Sequence, residues 1–144
     1  MEEKNTLHFN HVIPVQVRFN DVDMLGHVNN ATLQEYFDLG RMHYLQDVSK
    51  DDLFKGDEAL IIASVKTDFF HPVFLKDNMV VKTKIVHLGT KSLRMVQELV
   101  EKDSQVIKSS CESVMVGIHK VKGYSIELPV EWRVKIGNLE KDLA

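Results

Sequence analysis

The 144-residue sequence is poor in several features at once. Its single cysteine, Cys111, has no intramolecular partner, so a disulfide scaffold is excluded. There is no CxxC pair, and His8, His11, His87 and His119 are scattered without ligand spacing, so no metal site is expected. No stretch approaches the roughly 18 consecutive apolar residues of a membrane span. The opening Met1–Asn5 lacks the apolar run of a secretory signal, which makes a soluble, cytoplasmic chain without membrane contact the expectation. With 18 basic against 21 acidic residues and a net charge of -3, no excess of one sign points to a nucleic-acid partner. Repeats, linkers and low-complexity tracts are missing too, so residues 1–144 are expected to form a single domain.

What is present is a normal globular composition, 44% hydrophobic and 27% charged. Size scaling gives a folded surface of about 7,600 Å² against roughly 24,000 Å² for the extended chain, enough burial for a full core. Ile13, Val15, Val17 and Phe19 alternate with polar residues and predict a half-buried strand that Pro14 starts or marks as an edge. After residue 30 the period changes. Leu33, Tyr36, Phe37, Gly40 and Tyr44 fall on one face of a helix over 31–46, which Asn29 or Asn30 can cap.

Four more strands follow. The run 59–70 is apolar and β-branched and reads as well buried, ending at His71-Pro72. Asp77-Asn78, Gly89-Thr90-Lys91 and Lys102-Asp103-Ser104 reverse the chain between strands at 79–88, 92–100 and 106–121. The last is long and must bend, with Ser109, Ser110, Ser113 and Gly117 as permissive points. Pro129 suits the first position of a short tail helix, 129–142. These spacings predict an α+β domain, a five-stranded antiparallel sheet wrapped around one long helix.

The chemistry concentrates in Arg18-Phe19-Asn20-Asp21-Val22-Asp23-Met24-Leu25-Gly26-His27-Val28-Asn29-Asn30. Two carboxylates, an imidazole and two amides stand directly before a helix, whose free N–H groups and partial positive charge favour an oxyanion. A nearby carboxylate supplies a base or nucleophile, so acyl transfer or hydrolysis is one reading. Asp/Asn/Gly before a helix is also ordinary capping and turn chemistry, and Asp-x-Asp is a fragment of a metal motif.

The pattern Arg18-Phe19-x-Asp21-x-Asp23-x-x-Gly26-His27-Val28-Asn29-Asn30, with Tyr36-Phe37 and Arg41, resembles the signature of hotdog-fold acyl-CoA thioesterases of the 4-hydroxybenzoyl-CoA thioesterase family. The His-Val-Asn-Asn run also resembles the acyl-carrier-protein thioesterases. The likeness continues through Phe69-x-x-Pro72, Asp77 and Gly89-x-Lys91-Ser92.

The resemblance implies a hotdog fold and hydrolysis of an acyl-CoA thioester without metal or redox cofactor. Asp23 matches the catalytic carboxylate, a base on water or a nucleophile. Asn30 matches the residue whose backbone amide polarises the thioester carbonyl, and His27 the histidine of the carrier-protein enzymes. Leu25 stands where those enzymes carry a catalytic asparagine, a departure from their constellation. Lys91 falls in a turn that the family places near the coenzyme A phosphates. The strand at 59–70 is implied to pair with its two-fold mate, giving a homodimer or homotetramer in which Ser64 reaches the partner's site. The alternatives are an acyl-carrier-protein substrate, a noncatalytic acyl-ligand-binding protein, and a structural domain whose loop only caps a helix.

Overall fold

The computed structural model describes residues 7–50 and 56–143. The described strands are β1 (His11–Val15), β2 (Glu58–Phe69), β3 (Met79–Leu88), β4 (Ser92–Glu101) and β5 (Ile107–His119). The two helices are α1 (Asn30–Ser49) and α2 (Val130–Leu139). All strand pairs are antiparallel, in the order β1-β3-β4-β5-β2. The three-strand meander β3-β4-β5 forms the middle, and α1 carries the chain across it from one edge strand to the other.

The expected helix face is the buried one: Leu33, Tyr36, Phe37, Gly40 and Tyr44 all pack inward. The cap is Asn29, whose side chain accepts from the Ala31 N–H at 2.8 Å. Gly40 marks the closest approach of helix to sheet, because a Cβ there would collide with the Val81 side chain. The core divides around this crossing. Leu33, Phe37, Val73, Met79 and Leu99 surround the first half of α1; Tyr44, Leu60, Ile85, Trp132 and Ile136 surround the second.

Several boundaries differ from expectation for physical reasons. The first strand does not run to Phe19, because the Arg18 N–H is taken by the Asp21 carboxylate at 2.9 Å, and Phe19–Asp21 form a 3₁₀ turn. Pro129 caps α2 rather than starting it, and α2 stops at Leu139, short of 142. One irregularity lies in the last strand beside its first serine, where Lys108 is the extra residue between the Leu99–Ser109 and Val100–Ile107 pairs, and another lies in its neighbour β2 between Ile62 and Ser64. Gly117 instead allows residues 125–128 to cross the sheet, since a Cβ there would sit 3.1 Å from the Ile126 carbonyl oxygen.

The strand expected to be well buried is an edge. Only Ala59 and Leu60 are buried along β2, whereas Ile62, Val65 and Phe69 are 42%, 45% and 44% exposed in the single chain. Their register opposite the buried Met115, Ser113 and Ser109 puts these three on the helix side of the sheet. No described helix is long and apolar enough to cross a membrane.

Candidate functional site

The loop before α1 is built on one buried carboxylate. Asp21 accepts hydrogen bonds from the Tyr36 hydroxyl at 2.5 Å, the Arg18 backbone N–H at 2.9 Å and the Arg18 guanidinium at 3.2 Å. Burial alone would raise its pKa, yet the bonds from Tyr36 and Arg18, with the Arg18 charge, hold it below the usual value. Burial and then the Asp21 charge push the Tyr36 phenol up, so both groups stay in the states that bond each other. Asp21 is therefore a clamp between the loop and α1.

Asp23 sits differently. It is exposed on a tight turn in which its N–H donates to the His27 carbonyl at 2.8 Å and the Gly26 N–H donates to the Asp23 carbonyl at 3.1 Å. Gly26 has φ +81°, the left-handed region that a side chain disfavours. The Asp23 Oδ1 accepts from the Leu25 N–H at 2.9 Å and the His27 N–H at 3.4 Å. These bonds use one carboxylate oxygen and leave Oδ2 outside them. The sequence presents two carboxylates two residues apart; the fold buries one as a clamp and holds the other at the surface.

From this turn the chain enters α1. The Val28 N–H donates to the Val73 carbonyl at 2.8 Å, which ties the loop to the segment after β2. Of the N–H groups in the first helical turn, that of Ala31 is taken by the Asn29 cap, whereas that of Asn30 has no acceptor within the helix and lies at its positive end. Beside them lies a groove of about 290 Å³ whose wall includes His27, Asn30, Leu33, Phe69, Phe70 and His71. The His27 ring stands edge-on to Phe74, with centroids 5.3 Å apart. Phe70 and His71 both donate backbone N–H groups to the Lys108 carbonyl, and the Lys108 ammonium donates to the Pro72 carbonyl at 3.1 Å. A groove with Leu33, Phe69 and Phe70 in its wall that ends at the Asn30 N–H, with a surface carboxylate on the adjoining turn, can hold an acyl group and stabilise charge on its carbonyl oxygen.

Of the residues singled out in the sequence, Asp23, His27 and Asn30 come together on this one turn and helix start; His27 and Asn30 line the groove, and Asp23 lies on the turn beside it. Ser64 is opposite Val114 in register, on the sheet face away from α1. Lys91 is remote within its own chain. Phe69 pairs with Ser109, whereas the Lys91 carbonyl accepts from Gly117, eight residues further along β5 and so about 26 Å away. Its ammonium reaches Ser125 at 3.4 Å. The groove wall from Phe69 to Val73 enters the sequence pattern only through the Phe69-x-x-Pro72 likeness and the turn at His71-Pro72, with no place at the site. Its contact with the loop spans 45 positions (28 to 73), which local periodicity does not encode. Among the described residues, no group of three or more His, Cys, Asp or Glu side chains could hold a metal ion.

Comparison with known proteins gives the class. Residues 17–136 match the thioesterase-like superfamily, and the chain belongs to it. The sheet wrapped around α1 is the hotdog fold. A thioesterase from Thermus thermophilus, crystallised with coenzyme A and zinc, is similar at 34% identity and a TM-score of 0.80, covering 92% of this chain and 96% of that one. Slr0204, a 1,4-dihydroxy-2-naphthoyl-CoA thioesterase from Synechocystis, shares the fold at 20% identity and a TM-score of 0.79, covering 90% of this chain and 97% of that one. The chloroplastic acyl-acyl carrier protein thioesterase ATL3 of Arabidopsis thaliana is 32% identical over 87 residues, 59% of this chain and 45% of that protein. The chain spans about half the length of the curated relatives it matches.

Proposed function

We propose that this chain is a thioesterase that hydrolyses an acyl-CoA to the free acid and coenzyme A. The observation that carries the reading is the meeting of Asp23, His27 and the Asn30 N–H beside the groove walled by Leu33, Phe69 and Phe70. The thioester carbonyl would lie at the Asn30 N–H, with the acyl group in the groove. Asp23 takes a proton from water as the oxygen attacks the carbonyl carbon, and the amides stabilise the oxyanion. Collapse breaks the C–S bond, and the thiolate leaves and regains the proton. Direct attack by Asp23 gives an acyl anhydride that water then cleaves, with the same products. Free-thiol release from a panel of acyl-CoA and acyl-carrier-protein thioesters tests the reading. Turnover of acyl-CoAs supports it, preference for the protein carrier moves it to the alternative substrate, and inertness towards both overturns it.

The assembly follows from β2. An apolar edge strand with Ile62, Val65 and Phe69 half-exposed on the helix side is an aggregation hazard unless covered. Two-fold antiparallel pairing of β2 with its mate covers it and makes an obligate dimer, alone or within a tetramer. Sedimentation at micromolar concentration should therefore show no monomer; a stable, active monomer would overturn this.

Such pairing also gives Lys91 a role. Antiparallel extension sets the Phe69 end of one β2 beside the Glu58 end of the other, so the partner's Lys91 approaches the groove from three strands away, roughly 15 Å across. There it is placed to meet a phosphate of the carrier. Lys91→Glu should raise KM for an acyl-CoA about tenfold with kcat nearly unchanged, the signature of lost ground-state binding. An unchanged KM would remove this contact and favour the acyl-carrier-protein substrate.

A further inference from the structure

The groove beside Asn30 has a visible end. Helix positions 30, 34, 38 and 41 lie along one side of α1, and Phe69, Thr67 and Val65 alternate onto the helix side of β2. The two elements form facing walls, with Ser109, Cys111 and Ser113 of β5 as the floor between them. The groove wall reaches Leu33 on the helix and Phe69 on the strand. At the next step inward the walls are joined, because the Thr67 hydroxyl donates to the Gln34 side-chain carbonyl at 3.0 Å.

We propose that the Thr67–Gln34 hydrogen bond closes the acyl channel and restricts the substrate to short acyl groups. The inference rests on the thioesterase reading above and adds the substrate class. From Asn30 to Gln34 the helix rises about 6 Å, which leaves room for about four to six carbons beyond the carbonyl.

What lies past the closure is hostile to an alkyl chain. Arg41 is buried there and pairs with Asp38 at 2.6 Å and with the Gln97 side-chain oxygen at 3.2 Å. Its Nε and the Ser113 hydroxyl are buried without a hydrogen-bond partner. A long acyl group would have to part Thr67 from Gln34 and then surround these polar groups with methylenes, leaving further donors unsatisfied. A short group stops before any of them.

The test measures kcat/KM by free-thiol release across straight-chain acyl-CoAs from C2 to C16. The wild-type value should fall at least about tenfold between C6 and C10, the discrimination a closed pocket gives for added methylenes. Thr67→Ala and Gln34→Ala each remove one half of the closure, and each should raise kcat/KM for C10 about tenfold while changing that for C4 less than about threefold. Thermal unfolding of both variants checks that they fold. Equal turnover of C4 and C12 by the wild type, or an unshifted profile in both folded variants, overturns the proposal. Binding of S-alkyl pantetheine thioethers separates it from the hydrolase reading, because this arm is common to both carriers. A length limit in binding that the variants relax supports the closure even if no thioester is cleaved; binding indifferent to length overturns it.

Discussion

Asparagine in place of Asp23 should lower kcat by at least about 100-fold, the low end for removal of a positioned base, while thermal stability stays near wild type. Stability is expected to survive because asparagine keeps an oxygen where the Leu25 and His27 N–H groups need an acceptor, and because the side chain is exposed. The amide is neither a base nor a useful nucleophile, so both versions of the proposed mechanism lose the attacking step. His27→Ala should cost less. The loop is held by the His27 backbone, whose carbonyl and N–H bond to Asp23, while the ring packs on Phe74. Leu25 also replaces the asparagine with which such a histidine works in the carrier-protein enzymes. Thiol release and thermal unfolding, measured on both variants, decide the matter. A fully active Asp23→Asn protein would reduce the loop to a helix cap and end the mechanism proposed above.

The largest expected loss of stability comes from a residue four positions before the last one. Glu140 is fully buried, although it follows a short surface helix. Its carboxylate accepts from the Tyr44 hydroxyl at 3.0 Å, from the Ile85 N–H at 3.0 Å and from the Asn10 amide at 3.1 Å, with the Lys84 ammonium 3.8 Å away. The physical need is clear from the register. β1 pairs with β3 only as far as Thr83, so the Ile85 N–H lies beyond the edge strand and would be an unsatisfied donor. Burial and the Glu140 charge push the Tyr44 phenol up, which keeps it a donor. Glu140→Leu removes the acceptor and leaves these donors, and the mostly buried Lys84, without it. Breaking a buried pair from one side costs about 3–5 kcal/mol, or roughly 10 °C in Tm for a chain of this size. Glu140→Gln keeps one carbonyl oxygen and should lose about half as much. Thermal and urea unfolding test both; a Glu140→Leu protein as stable as wild type would mean that the sheet edge does not depend on this plug.

Much of the architecture was written locally. The change from alternation at Ile13–Val17 to a 3.6-residue period after Asn30 marks strand and helix whatever the rest of the chain does. The same holds for the Asp77-Asn78 and Gly89-Thr90-Lys91 reversals, because turn chemistry acts over a few residues. Pattern also marks the buried helix face and narrows the cap to Asn29 or Asn30, of which the fold uses Asn29, and it groups Asp23, His27 and Asn30 in one short segment. Burial along β2 differs from the expectation for a related reason. An apolar run says that a strand is to be covered but not by what, and in the single chain nothing covers Ile62, Val65 or Phe69.

Tertiary structure decided how near-identical side chains divide their roles. Asp21 and Asp23 are equivalent by composition, and only the arrival of Tyr36 from 15 residues away makes the first a buried clamp. Glu140 looks like any helix-end glutamate until Tyr44 and Ile85, 96 and 55 residues earlier, bring it their donors. The groove wall from Phe69 to Val73 and the Thr67–Gln34 closure likewise exist only once β2 lies alongside α1. Periodicity, turns and caps are short-range, so the elements and the candidate loop are legible in the chain alone. Which carboxylate stays at the surface, where the channel ends and what seals the sheet edge depend on contacts between residues far apart in the chain, and those no local pattern contains.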